Sequence, residues 1–376
     1  MDALKTDCRH FRSDRPCAPH KAHGVVCATC DEHYDPVETR LLIVKLAAIG
    51  DVLRTTSFLP AIHRRWPGAS VTWVTAPSSI PLVERHPLVD RAIAYTGSLP
   101  LALQTERFDV VLNPDAALDS CALAHSARGM TRVGFAFDRR GAPVPLTAGA
   151  ARWLEMGVRD DLKKANTRPY QELMAEVLEV PYEREPPELP VTEAELARGR
   201  ELAALHRPDE GRSLVGLNTG AGGRWRFKRW TEAGFAELIR RLGADGHKVF
   251  LLGGPEEVER NRALAEGSGG VALDTGCDNP LGSFAGIVDT CDVVVTGDTL
   301  AMHVAIARRV PTVVLFGPTS LHEIDVFDRG ARLRAEGKEC LVCYRPDCDV
   351  RPTCMDELTV DAVHGAVLEW CGQPAR

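Results

Sequence analysis

The sequence predicts an α/β protein of two doubly wound, Rossmann-like domains that face a cleft, preceded by a cysteine-rich extension. Its 376 residues are too many for one ordinary hydrophobic core, so two domains are expected. Two successive series of short apolar runs alternate with amphipathic segments, a pattern typical of parallel sheets covered by helices on both faces. A proline-rich stretch separates the series. The predicted boundaries are 1–38 for the extension and 39–190 and 191–376 for the domains.

The first series lies in the N-terminal domain. Short β-branched apolar runs typical of buried parallel strands occupy 41–47, 70–76, 108–114 and 132–137, and apolar spacing predicts a helix over 52–66. The second series predicts strands over 213–220, 248–255, 292–298 and 312–320, with helices beginning near Thr192 and over 232–246, 256–267 and 360–371. Ligands of such sheets bind beyond the carboxyl ends of the strands, so the expected active site is the cleft between the two domains.

Composition and charge narrow the function. The chain is 44% hydrophobic and 26% charged, as globular proteins are, and its net charge of -7 leaves no broad basic surface. Nucleic acid is therefore not expected as a partner. No window reaches the roughly 18 to 20 apolar residues of a membrane-spanning helix, and the charged N-terminus is not a secretory signal. We expect a cytoplasmic protein, with peripheral contact at the inner face of the cytoplasmic membrane left open.

The end of the first predicted strand carries the first candidate residue. Asp51 follows Gly50 where a helix begins, and the positive end of the helix dipole favours an ionised carboxylate there. Position alone leaves two interpretations. Asp51 either caps the helix or projects into the cleft as a general base for an acceptor hydroxyl.

A glycine-rich turn and a lysine follow the first strand of the second series. Glycines such as Gly220, next to Thr219, let a ligand approach the backbone, whose N–H groups suit phosphate. Lys228 is placed to neutralise a diphosphate, whereas the neighbouring arginines are also compatible with a solvated loop. The segment matches neither the P-loop nor the dinucleotide-binding glycine motif.

Three further turns follow later strands. Glu257 is suited to accept hydrogen bonds from ribose hydroxyls, or simply to complement a helix dipole. Asp298 and Thr299 stand where a strand runs into a helix N-terminus, a favourable seat for a diphosphate. His303 lies one helical turn further on and either faces the same ligand or is a structural residue. The segment with Gly317 and Thr319 repeats the pattern of a glycine-containing turn at a strand end.

Four segments together resemble glycosyltransferase family 9, the lipopolysaccharide heptosyltransferases. In the family's order they are KLAAIGDVLRTTSFLPAI, GLNTGAGGRWRFKRW, LLGGPEEVER and GDTLAMHVAIARRVPTVVLFGPTS, and the resemblance spans residues 40–370. It implies the GT-B fold, with the acceptor in the N-terminal domain and the nucleotide-sugar donor in the C-terminal one. It also implies inverting transfer of heptose from ADP-heptose to a hydroxyl of a cell-surface glycan or lipopolysaccharide-type acceptor, without a metal or other cofactor in the transfer step.

The resemblance assigns roles to matching positions. Asp51 becomes the general base, and the donor-binding set comprises Thr219, Gly220, Lys228, Glu257, Asp298, Thr299, His303, Gly317 and Thr319. Two departures bear on the donor. Leu300 stands where the family has a glycine after Asp-Thr, and Gly223 and Arg224 replace the small hydroxyl residues that often precede the lysine. Heptose is therefore an expectation from the family.

Two groups of cysteines remain. Cys340, Cys343, Cys348 and Cys354 have the spacing C-x2-C-x4-C-x5-C, and a Cys-x2-Cys pair is a good clamp for a thiolate-binding metal. We expect a structural zinc or iron there, with reduced thiols as the alternative. Cys8, Cys17, Cys27 and Cys30 form a looser group for which a separate knuckle, a site shared between both ends of the chain and an iron–sulfur cluster all stay open.

Two other classes of function compete with glycosyl transfer. A nucleotide-cofactor oxidoreductase would also use Rossmann-like domains and cysteines, but no predicted strand leads into a complete G-x-G-x-x-G motif with its later acidic residue. A non-catalytic sugar-nucleotide-binding protein would not require the aspartate at position 51. The oligomeric state does not follow from the sequence.

Overall fold

A computed structural model describes residues 4–98 and 100–371, which form two compact units. The first unit comprises the described part of Met1–Leu46 together with Phe58–Arg152 and Met174–Glu183. The second comprises Ala47–Ser57, Trp153–Leu173 and the described part of Arg184–Arg376. The short segment that carries Asp51 therefore belongs to the second unit, although it follows the first strand of the first one. The domain limits derived from sequence, at 38/39 and 190/191, stay predictions.

Strands and helices alternate along both units. The strands are β1 (Thr39–Val44), β2 (Ala69–Thr75), β3 (Arg91–Ala94), β4 (Arg107–Asn113), β5 (Arg128–Phe137), β6 (Pro143–Pro145), β7 (Leu214–Asn218), β8 (Lys248–Leu252), β9 (Ala272–Asp274), β10 (Val293–Gly297), β11 (Thr312–Phe316) and β12 (Gly330–Arg334). The α-helices are α1 (Ala18–His23), α2 (Ile49–Thr55), α3 (Leu59–Arg65), α4 (Ile80–Val83), α5 (Leu101–Thr105), α6 (Leu118–Ser126), α7 (Ala148–Val158), α8 (Asp160–Ala165), α9 (Tyr170–Leu178), α10 (Glu193–His206), α11 (Glu232–Ala244), α12 (Val258–Gly267), α13 (Leu281–Val288), α14 (Leu300–Ala307) and α15 (Val360–Leu368).

Each unit contains one six-stranded sheet. The first sheet has the order β3-β2-β1-β4-β5-β6, parallel except for the antiparallel β5–β6 pair. The second has the order β12-β11-β10-β7-β8-β9 and is parallel throughout. In the first sheet the strands run outward in one direction from β1 to β3 and then in the other direction from β4 to β6. In the second sheet they run from β7 to β9 and then from β10 to β12 on the other side. This reversal beside the first strand is the doubly wound arrangement. The predicted α/β fold class is confirmed.

The core of each unit lies between its sheet and the flanking helices. Strand residues such as Val215, Val295 and Val313 are fully enclosed by side chains of α11 and α15. Because both faces of the sheet are covered, the sequences of these strands are continuous β-branched apolar runs and do not alternate between apolar and polar residues. In the first unit, Leu42, Val74 and Val111 are buried in the same way beside α6.

The helix predicted over 52–66 is wrong in one respect, because the segment forms two short helices, α2 and α3. Three consecutive hydroxyl side chains, those of Thr55, Thr56 and Ser57, donate hydrogen bonds back to backbone carbonyls of α2. Such back-bonding bends helices. Pro60 lacks the N–H that would continue the helix and instead stands in the first turn of α3. Sequence periodicity alone did not reveal the break.

The cysteine-rich extension is part of the first unit. Its only regular elements in the described residues are α1, a 3₁₀ turn at Cys27–Thr29 and an isolated bridge between Cys8 and Pro36. Arg9 anchors it by donating to the carboxylate of Asp90 at 2.6 Å and to the carbonyl of Ala69 at 3.0 Å. Within residues 4–98 and 100–371, every helix is too short or too polar to cross a membrane.

Candidate active site

Sheet order gathers the donor-binding candidates at one edge of the second unit. The candidate turns follow β7, β8, β10 and β11, and these strands are neighbours in the order β11-β10-β7-β8. Because all of them are parallel, the turns that follow them lie along the same carboxyl edge. The sequence places these turns far apart, and the sheet is what brings them together.

Lys228 and Asp298 form a buried ion pair at this edge. The ammonium group lies 2.7 Å from the Asp298 carboxylate, and the two side chains are 13% and 17% exposed. The lysine also lies over the ring of Trp225, 5.0 Å from its centroid. Burial favours the neutral acid, but the charge and hydrogen bond of Lys228 hold the pKa of Asp298 below its usual value. The pair is therefore charged at neutral pH.

Asn218 links two of the candidate turns. Its amide donates to the Thr299 hydroxyl at 3.3 Å, to the Thr296 hydroxyl at 3.1 Å and to the Gly220 carbonyl at 3.2 Å. Thr299 is the N-cap residue of α14, yet its side chain makes no capping bond. The N-terminus of α14 thus presents its first N–H groups next to a network of hydroxyls. Sequence reasoning missed Asn218, although its place at the end of β7 was a usable signal.

Glu257 lies under the glycine turn after β7. Its carboxylate accepts a hydrogen bond from the Gly254 backbone N–H at 2.9 Å. A Cβ atom at Gly220 would lie only 2.4 Å from the Glu257 carboxyl carbon, so a side chain at position 220 would displace the carboxylate. Thr219 is buried and donates to Asn261 at 2.5 Å. Both interpretations of Glu257, ligand of ribose and partner of the helix N-terminus, remain compatible with this geometry.

The turn after β11 rests on the C-terminal cysteine segment. A Cβ at Gly317 would lie 2.9 Å from the sulfur of Met355 and 3.1 Å from that of Cys354. Thr319, two residues further on, is 6% exposed, and its buried hydroxyl lies near Asp298 without a hydrogen bond to any of the described residues. The glycine is therefore required for close packing, whereas the threonine faces the ion pair.

Helix α2 packs directly against α14 within the second unit. Gly50 permits this contact, because a Cβ at that position would lie 2.6 Å from Cδ2 of His303. Asp51 is the next residue, and its carboxylate accepts a hydrogen bond from the Ala48 backbone N–H at 3.3 Å. The capping interaction considered from sequence is present. The same contact also places Asp51 beside α14, the helix that begins after Thr299.

Arg54 is a site residue that sequence reasoning missed. Its guanidinium lies 2.8 Å from the Asp51 carboxylate and stacks on the ring of Tyr170, with 3.4 Å between the guanidinium carbon and the ring centroid. Burial is the largest single effect and opposes the charged form, but the electrostatic effects of Asp51, Tyr170, Glu323 and Asp298 together outweigh it and keep the pKa of Arg54 above its usual value. The three-residue spacing from Asp51 on a helix was the available signal.

His303 is neutral at physiological pH. It is 8% exposed, and burial, followed by the positive charge of Arg54, lowers its pKa to about 4. The charges of Asp298 and Asp51 act in the opposite direction and are outweighed. The side chain therefore offers one N–H donor and one nitrogen acceptor to its surroundings.

A second buried acid, Glu323, stands near this cluster. Burial raises its pKa, while a hydrogen bond from the Tyr344 hydroxyl and the charge of Arg54 lower it by less. Tyr344 follows Cys343 in the C-terminal cysteine segment and donates its backbone N–H to the Pro318 carbonyl at 2.9 Å. No sequence pattern pointed to Glu323, because the contact depends on how the segment folds back over the turn after β11.

The two cysteine groups differ in their surroundings. Burial, and to a smaller extent the neighbouring Cys343, Cys348 and Cys340, raise the pKa of Cys354 to about 11, so the four thiols lie within electrostatic range. In the extension, Cys8, Cys17, Cys27 and Cys30 line one cavity of about 270 Å³. All of these cysteines are free of disulfides. Within residues 4–98 and 100–371, no three His, Cys, Asp or Glu side chains are grouped closely enough to hold a metal ion.

Comparisons with known proteins identify the family of the chain. The family model for glycosyltransferase family 9 (heptosyltransferase) matches residues 97–351. The chain belongs to this family. Lipopolysaccharide heptosyltransferase 1 of Pseudomonas aeruginosa is 28% identical over 349 residues, which is 86% of this chain and 91% of the relative. This family member is thus a glycosyltransferase, and the predicted enzyme class is confirmed.

Two solved structures have the same fold as this family 9 enzyme. The Escherichia coli ADP-heptose lipopolysaccharide heptosyltransferase II is 21% identical with a TM-score of 0.63, covering 89% of this chain and 98% of that one. The iron-containing dodecameric glycosyltransferase TibC from enterotoxigenic E. coli is 15% identical with a TM-score of 0.53, covering 88% and 78%. The GT-B fold expected from the resemblance is confirmed, and the oxidoreductase alternative loses its support.

Proposed function

We propose that the protein is an inverting heptosyltransferase that moves heptose from ADP-heptose to a hydroxyl of a lipopolysaccharide-type acceptor, with Asp51 as general base. The observation that carries this proposal is the packing of α2 on α14, which sets Asp51 beside the helix whose N-terminus forms the donor turn. Membership in family 9 supports the reaction class, and the curated relative supports heptose and lipopolysaccharide as substrates.

The donor would bind along the carboxyl edge of the second sheet. The diphosphate would take the N-terminal N–H groups of α14 near Thr299, together with the Lys228 ammonium, which now pairs with Asp298. The ribose hydroxyls would bind Glu257, beside the open backbone of Thr219 and Gly220. The sugar would lie between His303 and the turn that contains Gly317 and Thr319, where His303 is neutral and able to hydrogen-bond hydroxyls.

The transfer itself would be a single in-line displacement. The acceptor oxygen forms a bond to the anomeric carbon as the bond from that carbon to the phosphate oxygen breaks, and ADP departs with the electron pair. The acceptor proton passes to the Asp51 carboxylate. The growing charge on the diphosphate is stabilised by Lys228 and the N–H groups of α14. No cofactor takes part in these steps.

Asp51→Asn tests the base. The amide keeps the size and the hydrogen-bonding capacity of the side chain but cannot accept the proton. We expect ADP-heptose affinity, measured by calorimetry, to stay within about threefold, and kcat for ADP release with heptose-deficient lipopolysaccharide to fall by about 10² to 10⁴. Near wild-type turnover by this variant would remove Asp51 from the mechanism. Donor binding without turnover by the wild-type enzyme would instead favour the non-catalytic alternative.

We further propose that the C-terminal cysteines hold one structural zinc or iron. Four thiols on one short segment have the chemistry that such ions prefer, and metal bonds of about 2.3 Å would draw them closer together. Cys8, Cys17, Cys27 and Cys30 are proposed for a second ion because they share one cavity. Elemental analysis of the purified wild-type protein and of Cys343→Ser tests the first group. The variant should contain about one metal equivalent per chain less than the wild type. Unchanged metal content in that variant would contradict the assignment.

The remaining assignments follow from the proposed substrates. We propose that the enzyme works in the cytoplasm, with peripheral contact at the inner face of the cytoplasmic membrane, because the proposed acceptor belongs to the lipopolysaccharide pathway. Fractionation of cells that produce the protein at native level tests this location. The limits 39–190 and 191–376 are proposed for the acceptor and donor domains, and limited proteolysis near residue 190 tests them.

A further inference from the structure

Arg54 is bound on more than one side in the second unit. One terminal nitrogen lies 2.8 Å from the Asp51 carboxylate, and the guanidinium plane rests on the buried ring of Tyr170. The Tyr170 ring is itself held edge-on against Trp153, with 5.7 Å between the ring centroids. A guanidinium stacked in this way loses little further freedom when it binds a carboxylate. The arginine is thus pre-positioned for Asp51.

The Asp51 carboxylate has both oxygens engaged on its own helix. Oδ1 faces Arg54, and Oδ2 accepts the backbone N–H of Ala48 at 3.3 Å. These two contacts restrict rotation of the carboxylate about its side chain. A general base must be oriented to within a fraction of an ångström, because a misplacement of about 1 Å can cost about 100-fold in rate.

The arginine also leaves one donor unused. Its Nε–H is buried and has no hydrogen-bond partner among residues 4–98 and 100–371. A buried donor without a partner costs about 1 to 3 kcal/mol. A purely structural arginine would be expected to satisfy this group, so the arrangement indicates that the guanidinium serves the site.

The charges around Asp51 come from several elements. On α2 the neighbour is Arg54, on α14 it is His303, and Asp298 precedes α14. Lys228 pairs with Asp298, so their charges largely offset one another. His303 is neutral above about pH 4. Glu323 also acts on Arg54, but burial raises its pKa. Among these groups, Arg54 is a cation in direct contact with the Asp51 carboxylate.

We propose that Arg54 is a positioning residue that fixes the orientation of the Asp51 carboxylate and keeps it ionised for proton transfer. This inference rests on the proposed function, since it takes Asp51 as the base. Arg54 acts through Asp51 and is not itself assigned a contact with the reacting atoms. Its cation favours the ionised carboxylate, so the enzyme stays active toward lower pH than it would without it.

The test compares Arg54→Gln with Arg54→Lys. Glutamine keeps a hydrogen-bond donor but removes the charge, whereas lysine keeps the charge. We expect Arg54→Gln to lower kcat by about 10- to 100-fold and to move the acidic limb of the kcat/KM profile up by about one pH unit. The KM for ADP-heptose should change by less than about threefold. In Arg54→Lys the acidic limb of the kcat/KM profile should stay near its wild-type position, and most of the kcat that is lost in Arg54→Gln should be retained.

Arg308→Gln is the matched control. Arg308 lies just past the far end of α14, is 21% exposed and also pairs with one aspartate, Asp289. Its replacement should leave the acidic limb unmoved. An unmoved limb in Arg54→Gln, or an equal shift in Arg54→Lys, would overturn the positioning role.

A direct titration of the Asp51 carboxyl group does not depend on enzyme turnover. The ¹³C-carboxyl resonance of Asp51 is assigned through its disappearance in Asp51→Asn. Because the cation of Arg54 favours the ionised carboxylate, we expect this resonance to titrate at lower pH in the wild-type enzyme than in Arg54→Gln, and equal midpoints in the two proteins overturn the proposal. If the wild-type enzyme neither binds nor uses ADP-heptose, the proposed function fails instead, and this titration still reports on the contact between Arg54 and Asp51.

Discussion

Gly50→Ala tests the contact between α2 and α14 on which the site depends. The added Cβ would lie 2.6 Å from Cδ2 and 3.3 Å from Nε2 of His303. Carbon atoms in contact are normally about 3.5 to 4.0 Å apart, so the two helices or the imidazole must move by about 1 Å. Overpacking of this kind costs about 1 to 3 kcal/mol. Because Asp51 is the adjacent residue, we also expect kcat to fall by about 100-fold.

Urea unfolding followed by circular dichroism measures the stability change, and ADP release measures the rate. Gly365→Ala is the control, because it lies inside α15 with no heavy atom within 4 Å of an added Cβ. It should stabilise the protein by about 0.5 to 1 kcal/mol. In the double variant with His303→Ala, the cost of Gly50→Ala should shrink by about 1 kcal/mol or more, because the clashing ring is gone. A Gly50→Ala enzyme with wild-type stability and turnover would refute the reasoning.

Two further predictions concern the donor site. Lys228→Met removes the cation from Asp298 and from the proposed diphosphate site, and ADP affinity measured by calorimetry should fall at least about tenfold, as expected for a lost charge-assisted bond. Equal affinity would contradict that role. The second concerns His303, which stays neutral in the folded state to about pH 4 but is protonated in the unfolded chain below about pH 6.5. Folding stability should therefore rise by about 3 kcal/mol between pH 4 and 6.5 from this group. His303→Gln should flatten that part of the curve, leaving the similar contribution of His86, and an unchanged slope would contradict the burial effect.

The sequence predicted correctly those features of the fold that leave a pattern in neighbouring residues. Buried parallel strands are apolar on both faces, so β7, β8, β10 and β11 were visible as short β-branched runs, and the turns after them could be named as ligand-binding turns. It was less informative about α2. Periodicity predicted one helix, whereas hydroxyl side chains such as that of Thr55 bond back to the backbone and Pro60 restarts the chain as α3.

Tertiary structure decided which candidate residues meet. No local pattern indicated that Asp51 would belong to the second unit, because it follows a strand of the first. That placement depends on a contact between α2 and α14, two helices about 250 residues apart in sequence. Arg54 became recognisable as part of the site only when its stacking on Tyr170 and its pairing with Asp51 were seen together.

The sequence by itself thus determined the fold class, the family and the turns proposed to bind ligands, because strand burial and glycine turns leave local patterns. The tertiary structure decided the ionisation of the site. The pKa of His303 depends on burial and on the charge of Arg54, and both depend on which helices pack together. Burial and charge pairing are properties of atoms close in space, and residues distant along the chain carry no local record of them.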